Sequence, residues 1–280
     1  MKKNISIIIS SLLFTFAAGQ ASATSTVTDY NATYAVTKKD TAKLPLAKVI
    51  EIHDILKFDN TVEDSPSITI DIHIPVVKSL NKNLSNKLDK TLTSMIFEEE
   101  EINLEKAAHE FCRKRKEEFV ASINEFIGDS GDYGIPKFFN GLFYSITAKA
   151  ESGLNGYINY TVTHDEYLGG AHPSSYKSTI IINPINGNTV TLDDILEPGY
   201  KEKLTELLTA KLLEQHNARS IREAQETGFF INESGVPIPS SYTFDNNGIM
   251  FIYNTYEIAP YVFGAIHLTL TYDELKVLLK

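Results

Sequence analysis

Four Asn-Gly dipeptides, at 140–141, 155–156, 186–187 and 247–248, constrain this chain more than any other feature. Asn-Gly suits a type I′ turn, because both central residues take positive φ, which Asn tolerates and Gly adopts freely. Each dipeptide is flanked by strand-like sequence. Phe138-Phe139 precedes Leu142–Ile146, Tyr157–Thr163 alternates in polarity, and Thr179–Ile182 faces Thr189–Leu192 across the third turn. Two longer strands follow, Ile249–Tyr256 and Phe263–Thr271. One helix interrupts, Tyr200–Gln215, with Leu204, Leu207, Leu208, Leu212 and Leu213 on its apolar face, and a short helix starts at Tyr272. No strand–helix–strand alternation supports a parallel nucleotide-binding sheet.

The upstream half reads differently. Residues 24–67 are polar, with a strand-like run at Val49–Phe58. From Ile68 to Val77 the period is two: Ile68, Ile70, Ile72 and Ile74 share one face, Thr69, Asp71 and His73 the other, as in a half-buried strand that Pro75 ends or marks as an edge. Ser79–Glu125 has helical spacing, through Leu80, Leu84, Leu88 and Leu92, then Leu104, Ala108, Phe111, Arg115 and Phe119. Ser79 is the expected N-cap, and Gly128 is expected to follow the end. Unbroken, such a helix would be roughly 70 Å long at 1.5 Å per residue, so the expectation is a break or bend around Glu98–Glu101, or else a helix that overhangs its domain. The class is therefore α+β: hairpin-rich antiparallel sheets packed with a long N-terminal helix and shorter C-terminal helices. The expected organisation is a leader peptide over 1–23, an N-terminal lobe over 24–139 and a C-terminal lobe over 140–280. No Gly/Ser/Pro-rich linker divides the lobes.

The leader carries the compartment. Lys2-Lys3 form a basic start, Ile5–Ala18 is an apolar run, and Ala21-Ser22-Ala23 is a small-x-small cleavage site. The run is shorter than the ~20 residues a spanning helix needs. Cleavage after Ala23 implies a periplasmic or secreted protein with no membrane span. Losing Lys2 and Lys3 leaves 24 basic against 36 acidic residues, a net charge of −12, which argues against nucleic acid. The single cysteine, Cys112, excludes an internal disulfide and a Cys-rich zinc site. Inside an amphipathic helix it reads as a buried free thiol.

Enzyme signatures fail on spacing. Gly128-Asp129-Ser130-Gly131 spells a serine-protease nucleophile segment and Ala107-Ala108-His109 a histidine segment. However, His109 falls inside a helix, only 21 residues before Ser130. There is no nucleophile elbow, dinucleotide fingerprint or phosphate loop. His164-Asp165-Glu166 with His172 is the densest cluster of metal-ligand residue types, but it lacks metal-site spacing, and loop hydrogen bonding explains it better. Asp193-Asp194 stand where a helix start wants acidic caps. The sequence thus points to no catalytic residue, no metal and no cofactor.

One stretch carries a resemblance. Tyr160-Thr161-Val162-Thr163-His164-Asp165-Glu166-Tyr167-Leu168-Gly169-Gly170-Ala171-His172-Pro173 leads through Ile180–Pro184 and Asn186-Gly187 to Leu192-Asp193-Asp194-Ile195-Leu196. A second segment is Tyr256-Glu257-Ile258-Ala259-Pro260-Tyr261-Val262-Phe263-Gly264, followed by a strand and Tyr272-Asp273-Glu274-Leu275. This resembles the RsiV-like family: the extracytoplasmic lysozyme-sensing domain of an anti-sigma factor, and a region beside the catalytic domain of PdaC-type peptidoglycan deacetylases. The likeness covers 140–280 well and 45–139 loosely. The chain has neither the family's sigma-binding segment nor a deacetylase domain, so neither activity carries over.

What the resemblance implies is a secreted, non-catalytic module that binds a protein ligand, with lysozyme or another basic protein as candidate partner. Acidic charge would steer such a partner. Tyr167, Gly169, Gly170 and His172 form the expected contact loop, although Gly169-Gly170 and His172-Pro173 would equally staple a loop. Ala259-Pro260-Tyr261 is expected to break a strand and send Tyr261 into the core. The alternative class is a cell-wall glycan binder or wall-processing protein. The absence of Trp weakens an aromatic glycan platform, for which Tyr can substitute.

Overall fold

The alternation at Ile68–Ile74 builds the centre of a six-stranded sheet. In the computed structural model, which describes residues 46–79, 81–100, 103–130 and 137–280, strand β2 (Ser67–Val77) turns those four isoleucines into the core. β1 (Leu46–Lys57) pairs antiparallel with it, placing Ile50 against Ile74 and Ile52 against Ile72. The leader and its cleavage site lie outside the described residues, as do Leu80 and Gly131.

The long helical stretch breaks where the glutamates start. Helix α1 (Lys82–Phe97) ends at Glu98, which takes a left-handed conformation (φ 56°) and donates its N–H to the carbonyl of Ser94. Helix α2 (Leu104–Ser130) resumes beyond it. The N-cap of α1 is Asn81 rather than Ser79. The Asn81 side chain accepts from the N–H groups of Asn83 and Leu84, while Ser79 Oγ accepts from Asn81 N–H one step earlier. Gly128 does not stop α2, which continues to Ser130. A glycine inside a helix costs only about 1 kcal/mol, too little to end it alone. Leu88, Leu92, Ile96, Leu104, Ala108, Phe119 and Ile123 from the two helices bury against the isoleucine face. Lys116 reaches across to Asp54 on β1 at 2.6 Å.

These helices carry the chain back to the start of β2, so β3 (Leu142–Ser152) joins β2 in parallel, from Ile68↔Leu142 to His73↔Thr147. This corrects the all-antiparallel expectation. Asn140-Gly141 is not a hairpin turn, because Lys137–Phe139 forms a 3₁₀ turn rather than a strand. A parallel pair needs a crossover of a dozen or more residues, and α1 and α2 supply it. β4 (Ile158–Tyr167), β5 (Ser174–Ile182) and β6 (Thr189–Val190) add on antiparallel, completing the order β1-β2-β3-β4-β5-β6. The sheet therefore runs across the 139/140 boundary drawn from the sequence. Only Asn155-Gly156 makes the expected type I′ turn, with φ 55° and 76°. At Asn186-Gly187 the glycine alone takes positive φ.

A second, three-stranded antiparallel sheet contains β7 (Ser241–Phe244), β8 (Gly248–Tyr253) and β9 (Ile266–Thr271). Leu204, Leu208 and Leu212 of the helix Tyr200–Gln215 are fully buried in its core with Phe244, Phe251, Leu268 and Leu270. In chain order the helices here are α3 (Leu192–Ile195), α4 (Tyr200–Gln215), α5 (Ile221–Glu226) and α6 (Tyr272–Leu275). Gly248 is required by crowding: a Cβ there would collide with the carbonyl oxygen of Leu270 on β9. The two sheets are tied by side chains that stand in for ladder bonds. Asn159 on β4 donates to Phe244 O (2.6 Å) and accepts from Phe244 N–H (3.0 Å), and Thr179 on β5 bonds both polar backbone atoms of Tyr242. The described residues form one compact unit of mixed α+β class.

Candidate functional site

The β4–β5 connection, Leu168–Pro173, is shaped by its own polar groups. Tyr167 O–H donates to the Gly170 carbonyl at 3.1 Å, and its ring lies 6.4 Å from that of Phe143 at the margin of the core. Gly169 (φ 88°) passes so close to Phe138 that a Cβ would touch the ring at 3.2 Å, and Gly170 follows at φ 116°. Tyr167, Gly169 and Gly170 thus fix the loop; Tyr167 and Gly169 are half-buried, and of the four expected contact residues Gly170 and His172 are exposed, His172 alone with a side chain to present.

The loop after β8 is brought to the same place by Asn254. This buried side chain accepts from the N–H of Lys177 (2.7 Å) and donates to the Lys177 carbonyl (2.9 Å), pairing with β5 as a strand residue would. Asn254 N–H donates to Glu257 Oε2 at 2.7 Å, and Glu257 N–H donates back to the Asn254 carbonyl. The closed turn forces Tyr256 to φ 69°, a region that L-residues with a Cβ avoid and that persists only where the surroundings over-determine it.

The two loops meet in a stack of rings. His172 lies 4.0 Å from Tyr261, nearly parallel at 25°, and Tyr256 sits 5.8 Å from Tyr261. His172 Nδ1 is 2.9 Å from the Pro173 carbonyl. A carbonyl only accepts, so Nδ1 carries the hydrogen, and Nε2 lies 3.3 Å from the Tyr256 hydroxyl. Tyr256 and Tyr261 are 55% and 45% exposed, and Val262 beside them is 86% exposed, so this is a surface ledge. The expectation that Tyr261 enters the core is corrected. Pro260 opens a 3₁₀ turn over Tyr261–Phe263, which turns Tyr261 outward and sends Phe263 inward against Phe229 at 4.9 Å.

The remaining candidates are placed apart. His164 is half-buried on β4, and burial lowers its pKa. Among the described residues no group of three or more His, Cys, Asp or Glu is gathered as metal ligands. Asp194 closes a capping box with Thr191, whose backbone N–H, then its hydroxyl, hold the carboxyl below its ordinary value. Cys112 is buried, and burial pushes its thiol up to about 11. His109 is exposed on α2. Residue by residue, Tyr256 reads only as the end of a strand from Ile249, whereas β8 stops at Tyr253. The available signal was an aromatic residue between Asn254 and Glu257 with no apolar neighbour to bury it.

A family model, DUF3298, whose members are described as proteins of unknown function, matches residues 193–273. The segment includes Tyr256 and Tyr261, and the loop of His172 precedes it. The chain is similar to the crystal structure of a DUF3298 member from Bacteroides fragilis, with a TM-score of 0.72 and 23% identity over 85% of this chain and 96% of that one. It is also similar to a DUF3298 family protein from Pseudomonas aeruginosa PAO1, with a TM-score of 0.54 and 18% identity over 84% and 95% of the two chains. At these identities the likeness is one of fold. No curated protein matches. Among the described residues, no helix is long and apolar enough to cross a membrane.

Proposed function

We propose that this chain is an exported, non-catalytic binding module of the bacterial envelope, and that a basic protein, lysozyme being the candidate, docks on the ledge of His172, Tyr256 and Tyr261. One observation carries the reading. Two loops 84 residues apart are held together by a buried Asn, a strained Tyr and two glycines, and what they present is exposed aromatic surface rather than core. Structure invested in displaying tyrosines fits an interface, where Tyr gives large, rigid contact area with a polar tip. The resemblance to RsiV-like modules and the net charge of −12 support a cationic protein ligand, drawn in by long-range attraction.

The test is calorimetric titration of the mature chain with lysozyme at low and high salt. Affinity is expected to fall as salt rises and to weaken at least about tenfold in Tyr256→Gly and Tyr261→Ala. Tyr256→Gly removes the ring and also relieves the backbone strain, so its fold is retained. No heat with the wild-type chain removes lysozyme, and unchanged affinity in both variants removes the ledge. The nearly parallel His172–Tyr261 pair also suits stacking against a sugar ring, and heat with a chitin oligosaccharide in place of lysozyme would favour the glycan reading.

A further inference from the structure

The first strand of the large sheet has an unpaired side. β1 stands at the end of the strand order, and among the described residues nothing pairs with its outer edge. Between Lys48 and Lys57 it contains no Pro, no Gly and no bulge; of the devices that commonly blunt an edge it has only the lysines at its two ends and Asp54 on the helix side, which Lys116 neutralises. On the face away from the helices it exposes two aliphatic side chains, Val49 (44% exposed) and Ile55 (55% exposed), with Glu51 and His53 between them. Glu51 and His53 face His73 and Asp71 on β2, at 3.4 and 2.6 Å.

We propose that this edge is where two copies of the chain join, β1 against β1, antiparallel and centred on Ile52. The register follows from the pleat. Residues whose N–H and C=O point outward alternate along the strand, so two identical edges can pair only about a two-fold axis through a residue, not between residues. Centring on Glu51 sets that carboxylate opposite itself, and centring on His53 sets imidazole opposite imidazole. Centring on Ile52 sets Val49 opposite Ile55 of the second copy and Glu51 opposite His53 of the second copy, each pair occurring twice. The exposed aliphatics cover each other, and Glu51 and His53 meet each other, while Lys57 at the strand end falls opposite Ala47 of the second copy. On the helix face Ile52 meets its own copy. Asp54 falls opposite Ile50 of the second copy but keeps Lys116 at 2.6 Å, so no carboxylate is left unpaired. The second copy is favoured over an unrelated peptide because the complementarity is between β1 and itself. The ledge lies beyond β4 and β5, on the far side of the sheet from β1, so this pairing leaves it open and does not depend on the binding reading.

The test is sedimentation velocity of the mature chain from about 1 to about 300 μM, a range that resolves weak self-association. A concentration-dependent dimer is expected, weakened at least about tenfold in Val49→Lys/Ile55→Lys. Both substituted side chains point away from the core, so the melting temperature should be retained. A second variant, Val49→Cys/Ile55→Cys, should cross-link between copies on oxidation. The two positions are about 20 Å apart along one strand and cannot bridge within a chain. A wild-type monomer over the whole range overturns the proposal. So does a dimer that survives the lysine variant, or a dimer that fails to cross-link.

Discussion

Asn159 is the side chain on which the joint between the two sheets turns. It is 5% exposed and holds both polar backbone atoms of Phe244, donating to the carbonyl at 2.6 Å and accepting from the N–H at 3.0 Å. Asn159→Ala leaves a buried N–H and a buried C=O without partners, each costing about 1–3 kcal/mol. The expected loss is about 2–5 kcal/mol, a large fraction of the ~5–15 kcal/mol a domain possesses. At about 2–4 °C per kcal/mol, a 3 kcal/mol loss lowers the melting temperature by roughly 6–12 °C. Asn159→Asp separates the hydrogen bonds from the packing. An ionised carboxylate still accepts from Phe244 N–H but faces the Phe244 carbonyl with no proton to donate, so its folded-state pKa rises above the unfolded ~3.9. Below that pH the carboxyl is protonated in both states and restores the donor. As pH rises through the folded pKa the variant loses stability relative to wild type. Urea unfolding of both variants from pH 3 to pH 7 is the assay. A loss under about 1 kcal/mol for the alanine variant, or a flat pH profile for the aspartate variant, would refute the reasoning.

Other expectations follow from the same geometry. Gly248→Ala forces a Cβ against the Leu270 carbonyl and should separate β8 from β9, with a melting transition lowered or absent by circular dichroism; an unchanged transition would show that the strands can part freely. Glu274 is held down to about 2, first by Lys211 at 2.9 Å and next by the Thr271 N–H. Its stabilisation is therefore full above the ordinary 4.5 and disappears as pH falls from there towards 2. Glu274→Gln should flatten the acid limb of the stability profile in that window, and an identical limb in the variant would count against it. Cys112, buried and shifted up to about 11, should resist a thiol reagent at pH 8 in the folded chain and react promptly in urea; prompt reaction without urea would contradict its burial.

The elements legible in the sequence were those whose signal is local. The four-residue spacing of Leu204, Leu208 and Leu212 gave α4 its bounds, and the glutamate run placed the break between α1 and α2, realised by one left-handed residue. Asn-Gly proved a weaker guide. The dipeptide permits a type I′ turn but does not require one, and loop length and crowding chose other geometries at 186–187 and 247–248. The parallel β2–β3 pair was not legible, because nothing in either strand records which distant neighbour it meets. The ledge was half legible. The loop from Tyr167 to His172 stood out by composition, but its coupling to Tyr256 depends on Asn254 bonding a strand 77 residues away.

The parallel β2–β3 joint also sets the order in which the chain assembles. Ile68 and Leu142 are 74 residues apart, whereas the β3–β4 turn closes between Ser152 and Ile158, six residues apart. Loop-closure entropy makes the long connection about 2 kcal/mol dearer than the short one, before the helices that span it offset any of that cost. The β1–β2 hairpin and the β3–β4–β5 meander can each form from neighbours, and the seam between them closes late, once α1 and α2 have folded back over the isoleucine face. Contacts across that seam, such as Ile72 against Ile146, belong to the end of folding. Weakening them should quicken unfolding far more than it slows refolding, so the kinetic lifetime of the protein is governed at the junction of its two strand groups.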